Sequence, residues 1–144
     1  MQHDPFGNLT DWGQVLDTFD DLAKSGSLAE CQPGLVRILR FKGNWRLREE
    51  VLKRVGEIQT PSRELVFQVL ATVADDNIYY DARIIANDAL VQLLQHAPAD
   101  AHAELTAATR KLVDKLKSMP QPPFFDAALD RLHGEVGAPC AMEN

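Results

Sequence analysis

Sliding this chain against itself by 35 residues lays Leu47, Arg48, Val51, Val55 and Ile58 over Ala82, Arg83, Ala86, Leu90 and Leu93. Self-similarity at a period of roughly 20 to 50 residues marks a chain assembled from copies of one supersecondary unit, each leaving an apolar face for its neighbour to cover. A shift of 36 residues brings Val15, Phe19 and Leu22 over Val51, Val55 and Ile58, a first copy that lacks the arginine. Pro33, Pro61 and Pro98 stand where the second helix of each copy should open, because proline donates no backbone hydrogen bond and is tolerated in a helix's first turn. The pattern predicts about three stacked helical hairpins. Helices over 45–59 and 78–96 should be equivalent and lie side by side.

The spacing within each copy is helical. Trp12, Val15, Leu16, Phe19, Leu22 and Ala23 recur at three and four places, the stripe of a helix with one buried face, and strand-like alternation is scarce. A first helix is expected over 11–25, with Thr10 as N-cap and Gly26 just past its end. Ser27 to Glu30 reads as a capping box, and the next helix should start near Pro33 with Leu35, Ile38 and Leu39 inward. Gly43 and Asn44 precede a third helix over 45–59. Thr60 and Pro61 read as the N-cap and first-turn proline of a fourth, which carries Leu65, Val66, Val69, Leu70 and Val73. Beyond a polar break at Asp75, Asp76 and Asn77, helices follow over 78–96 and 101–118. Pro120, Pro122 and Pro123 stop the latter, and a short helix over 124–136 comes last. The expected fold is all-α, at least about 60% helical against a usual third, and arranged as a short right-handed α-solenoid.

The 144 residues fit one domain, read as 1–136 with a flexible tail over 137–144. At 45% apolar and 25% charged, the composition is that of a chain that folds. No window approaches the roughly 20 apolar residues that span a bilayer. The first eight residues carry His3 and Asp4 and no apolar core of a signal peptide, which points to the cytoplasm. Cys31 and Cys140 have no Cys or His at metal-ligand spacing and read as ordinary thiols.

The stretches NWRLREEVLKRVGEI and NIYYDARIIANDALVQLL resemble the first helix of a HEAT repeat over roughly residues 44–117. That helix has Asp or Asn near its start, an apolar residue, Arg, a small residue three later, then apolar-Gly-x-apolar. Asn44, Leu47, Arg48, Val51, Val55, Gly56 and Ile58 occupy those places, as do Asn77, Ala82, Arg83, Ala86, Leu90 and Leu93. Asn replaces the usual Asp, Val51 is larger than the customary alanine, and Val91 stands where glycine is typical. The resemblance implies stacked hairpins, a ladder between the acidic position and the arginine of neighbouring repeats, and a scaffolding role.

Charge is unevenly spread. Arg37, Arg40, Lys42, Arg46, Arg48, Lys53 and Arg54 face only Glu49 and Glu50, so 37–54 carries +5 within a chain of net charge −6. Arg37, Arg40, Lys42 and Arg46 could form an anion-binding or nucleic-acid face. The favoured reading is that they solvate helix surfaces, with Arg48 internal to the repeat and the acidic first helix folded back on the segment. The acidic total disfavours a polyanion as partner.

Trp45, Tyr79 and Tyr80 fall at helix entries, either as binding hot spots or as aromatic staples. Phe124 and Phe125 are either a plug closing the last hairpin or an exposed docking pair. His96, His102 and the Asp130–His133 pair complete no ligand set, so no metal or cofactor is expected. Asp75, Asp76 and Asp81 lack the glycine and the final glutamate of a calcium loop, and no nucleophile elbow, phosphate loop or dinucleotide fingerprint is present.

The leading expectation is therefore a non-catalytic protein–protein interaction or scaffold module. Its partner-binding face should be the outward side of the second helices, with Arg63, Gln68, Thr72, His102, Thr106, Thr109 and Arg110. The partner is another protein, with a second copy of the chain as a further option. A HEAT-like enzyme or cofactor-maturation factor is the first alternative, and an anion-binding module centred on 37–54 the second.

Overall fold

The computed structural model describes residues 3–136, so the expected tail over 137–144, with Cys140, lies outside the described residues. Seven α-helices appear there: α1 (Trp12–Lys24), α2 (Gln32–Arg40), α3 (Trp45–Val55), α4 (Arg63–Ala74), α5 (Tyr80–Leu94), α6 (His102–Lys117) and α7 (Pro123–Val136). A 3-10 turn, Leu28–Cys31, leads into α2. Helix makes up 70% and no strand is found among the described residues, so the chain is all-α.

Each helix packs against the one two places along the chain. Thus α1, α3, α5 and α7 are successive neighbours, as are α2, α4 and α6. The expected side-by-side stacking of the two best sequence copies is the α3–α5 contact. The pairing along the chain differs from expectation. Consecutive helices in close contact are α2 with α3, α4 with α5 and α6 with α7, whereas α3 and α4 barely touch. Link length is the reason: four or five residues (41–44, 75–79, 118–122) join the close pairs, and seven (56–62, 95–101) join α3 to α4 and α5 to α6. Short links hold antiparallel neighbours together, so Pro61 and Pro98 mark the wide connections between hairpins.

Capping chemistry sets several of these boundaries. At the end of α1, Gly26 adopts φ +73°. The amide of Ser27 reaches the carbonyl of Leu22 at 2.9 Å and that of Gly26 reaches Ala23 at 3.2 Å, a Schellman arrangement that only glycine enters without strain. Asn44 caps α3 by accepting from the Leu47 amide at 3.1 Å. Three expected caps are corrected. Thr10 gives its hydroxyl to Asn8 at 2.8 Å and caps nothing, Ser27 makes no side-chain cap, and α4 is capped by Ser62, not Thr60, through the Leu65 amide at 3.2 Å. The buried Gln32 explains the last shift. Its amide donates to the Thr60 carbonyl at 3.0 Å and accepts from the Ser62 amide at 2.6 Å, clamping the link before α4.

Residues 3–10 form a strap over α2. Phe6 and Leu9 enter the core, the His3 amide donates to the Glu30 carbonyl at 3.0 Å, and Arg37 grips Asp4 through two hydrogen bonds of 2.6 and 3.0 Å. The Arg37 guanidinium holds the Asp4 carboxyl below its ordinary value, with burial opposing. A carboxylate whose folded pKa is depressed stabilises the fold above its unfolded pKa, about 4, and loses that contribution as pH falls through the lower folded value. The pair is partly exposed, so at most about 1 kcal/mol is at stake. Thermal unfolding of the native protein should therefore fall more steeply below about pH 4 than that of Asp4→Asn. Parallel curves for the two proteins would remove the strap's electrostatic component.

Candidate functional site

Arg48 and Arg83, equivalent in sequence, are both almost buried, at 6% and 3% exposure. Each lies over the aromatic ring three residues before it, Arg48 over Trp45 at 4.3 Å and Arg83 over Tyr80 at 5.2 Å. Trp45 and Tyr80 therefore act as staples: Trp45 meets Tyr79 edge-on at 5.3 Å, and Tyr80 meets Phe124 and Phe125 at 6.0 and 5.0 Å. The ladder implied by the HEAT resemblance is not made through these arginines. Asn44 is occupied by its own helix cap, and the Asn77 side chain, exposed, makes no hydrogen bond to Arg48 or Arg83 among the described residues.

The environments of the two arginines then diverge. Arg83 donates to the Val73 carbonyl at 3.0 Å, and the fully buried ring of Phe125 covers it at 4.6 Å. Among the described residues no second ring covers Arg48. It opens into a cavity of about 210 Å³ walled by Leu39, Arg40, Lys42, Gln68, Thr72 and Asp75, among others. Among the described residues the Arg48 guanidinium has no hydrogen-bond acceptor and no carboxylate at salt-bridge distance. Burial pulls its pKa down and the nearby charge of Asp75 opposes that. Arg40 donates through Nε to Gln68 Oε1 at 2.7 Å, tying α2 to α4 at the rim. Arg40 also lines a second hollow of about 320 Å³, together with Pro33, Val36, Ser62 and Glu64.

The residues expected to bind a partner are only partly free to do so. Thr72 and Thr109 are buried, a correction, because their hydroxyls turn back onto the carbonyls of Gln68 and Leu105 four residues earlier. Arg110 donates to the Val136 carbonyl and so ties α6 to the end of α7. Arg63 forms a two-bond pair with Glu104 (2.6 and 2.8 Å) and lies 4.6 Å over Phe67, linking α4 to α6. Gln68 belongs to the cavity rim, His102 is exposed and Thr106 half-buried. Of the candidate anion ligands, Arg37 is committed to Asp4 and Arg46 is exposed away from the cavity, while Arg40 and Lys42 line it. Members of both expected sets, Gln68 and Thr72 with Arg40 and Lys42, thus meet in one place. The sequence leaves Arg48 either in the basic run or inside the repeat, and only the packing of the helices shows that it faces this hollow.

Phe124 and Phe125 divide the two roles proposed for them, Phe125 buried as a plug and Phe124 54% exposed. Cys31 is buried, and burial pushes its thiol up to about 11, so it stays protonated and a poor nucleophile. His96 and His102 are exposed on the α5–α6 link and the start of α6, and Asp75 sits in the separate Arg48 cavity. These groups do not converge. Among the described residues no group of three His, Cys, Asp or Glu is placed to hold a metal, and no helix is long and apolar enough to cross a membrane.

No protein-family model matches the chain, nor does any curated protein or solved structure.

Proposed function

We propose that this chain is a non-catalytic protein-interaction module, a short right-handed α-solenoid similar to HEAT repeats, which docks an acidic segment of a partner protein along α2 and α4. The observation that carries this is the pair of hollows that share Arg40, one with apolar Pro33 and Val36, the other with Lys42 and Arg48. A surface with an apolar anchor next to concentrated positive charge suits an acidic-apolar peptide, and electrostatic complementarity supplies selectivity and speed of encounter. Successive α3–α5–α7 and α2–α4–α6 contacts support the repeat reading. Nucleic acid is disfavoured because the net charge of −6 opposes the approach of a polyanion.

Affinity capture from the native host with quantitative mass spectrometry tests the proposal. The Arg40→Glu/Lys42→Glu double variant should lose specific partners, and the exposed Arg46→Glu should retain them. Identical enrichment from all three proteins would refute the docking face.

A further inference from the structure

We propose that the cavity between α2, α4 and the α4–α5 link binds a phosphate monoester dianion, held by Arg48 at its floor and by Arg40 and Lys42 at its rim. This stands whether or not a protein docks on the surrounding face.

Arg48 is 6% exposed as a residue and its guanidinium opens onto the cavity, and a partly desolvated guanidinium is usually matched by an acceptor or a paired carboxylate. Arg83 has found one in the Val73 carbonyl. Arg48, at the same place in the repeat, has only the Trp45 ring below it and the more distant charge of Asp75. The donors around it share one character. Arg40 uses only Nε on Gln68, the Gln68 side-chain amide nitrogen has no acceptor among the described residues, and Lys42 is exposed at the rim. Arg40, Lys42 and Arg48 against Asp75 leave the cavity at net +2, which a dianion balances and a single carboxylate does not. Guanidinium groups present planar forks suited to phosphoryl oxygens, and a volume of about 210 Å³ admits a phosphate with a small ester group.

Both a free phosphate ester and a phosphorylated side chain present this chemistry, and separate probes tell them apart. Titration of the full chain with inorganic phosphate, phenyl phosphate and N-acetyl-phosphoserine amide, followed by phosphorus NMR and calorimetry, should give saturable binding that weakens with salt. A preference for phenyl phosphate points to a small ester, and one for the phosphoserine amide to a modified side chain. Lys42→Ala and Arg40→Ala should each lower affinity about tenfold, the scale of one charge-assisted hydrogen bond. Asp75→Asn keeps the oxygen that accepts from the Asn77 amide but removes a like charge, and should tighten binding several-fold. Arg46→Ala, outside the cavity, should change nothing. Arg48→Gln belongs in the series only if its circular dichroism and melting match the native protein, and the rim variants carry the test without it. No saturable binding at millimolar concentration, or binding that the rim variants and Asp75→Asn leave unchanged, would overturn the proposal.

Discussion

Replacing Phe125 with alanine is expected to lower the stability of the fold by about 3–5 kcal/mol, the usual cost of emptying a buried phenylalanine site. Phe125 is fully buried on α7, 5.0 Å from the Tyr80 ring and 4.6 Å from the Arg83 guanidinium, so its ring closes the α5–α7 contact and lids a buried cation at once. Its loss removes the apolar burial and also opens Arg83 to water on one side. Domains of this size have about 5–15 kcal/mol in total, so the variant should lose a large share of its stability. Phe124→Ala is the control. That ring is 54% exposed and has one edge-on contact with Tyr80, worth about 1 kcal/mol or less. Urea unfolding followed by circular dichroism separates the two, and equal shifts in midpoint would refute the plug role of Phe125.

Much of this fold is legible in the sequence, because helix existence depends on apolar spacing and on prolines, both local properties. All seven helices lie close to their expected spans, and the α3–α5 stacking follows from the 35-residue shift. What sequence reading lost were long-range choices. Gln32 clamps a link some 30 residues away and thereby moves a cap from Thr60 to Ser62. Asp4 claims Arg37 across a separation of 33 residues and removes it from the candidate anion set. Thr72 and Thr109 look outward as polar residues, but a hydroxyl that returns to its own helix can be buried at small cost. The Arg48 cavity was half legible: its charges stood out as a basic run, and their convergence with Gln68 and Thr72 depended on how α2 and α4 pack.

Gly34 offers the second large effect, and one that spacing alone could not reveal. A Cβ placed there would lie 2.6 Å from Phe6 Cδ2 and 2.8 Å from Asp4 Oδ1, closer than side chains tolerate. Neither neighbour can yield freely, since Phe6 is 5% exposed in the core and the Asp4 carboxylate is held by Arg37 and by the Phe6 amide. Two effects compete in Gly34→Ala: a helical alanine gains about 1 kcal/mol over glycine, and displacing Phe6 forfeits up to about 3–5 kcal/mol of burial. The clash wins, and a larger side chain makes ejection of the strap complete. Gly34→Leu should therefore destabilise about as much as Phe6→Ala, and expose residues 3–10 to amide exchange and proteolysis while α3 to α7 stay protected. Because both changes break one contact, the double variant should be little worse than Gly34→Leu alone, a clear departure from additivity. Additive losses in that cycle would mean that Gly34 and Phe6 act separately, and the strap would not depend on the missing Cβ.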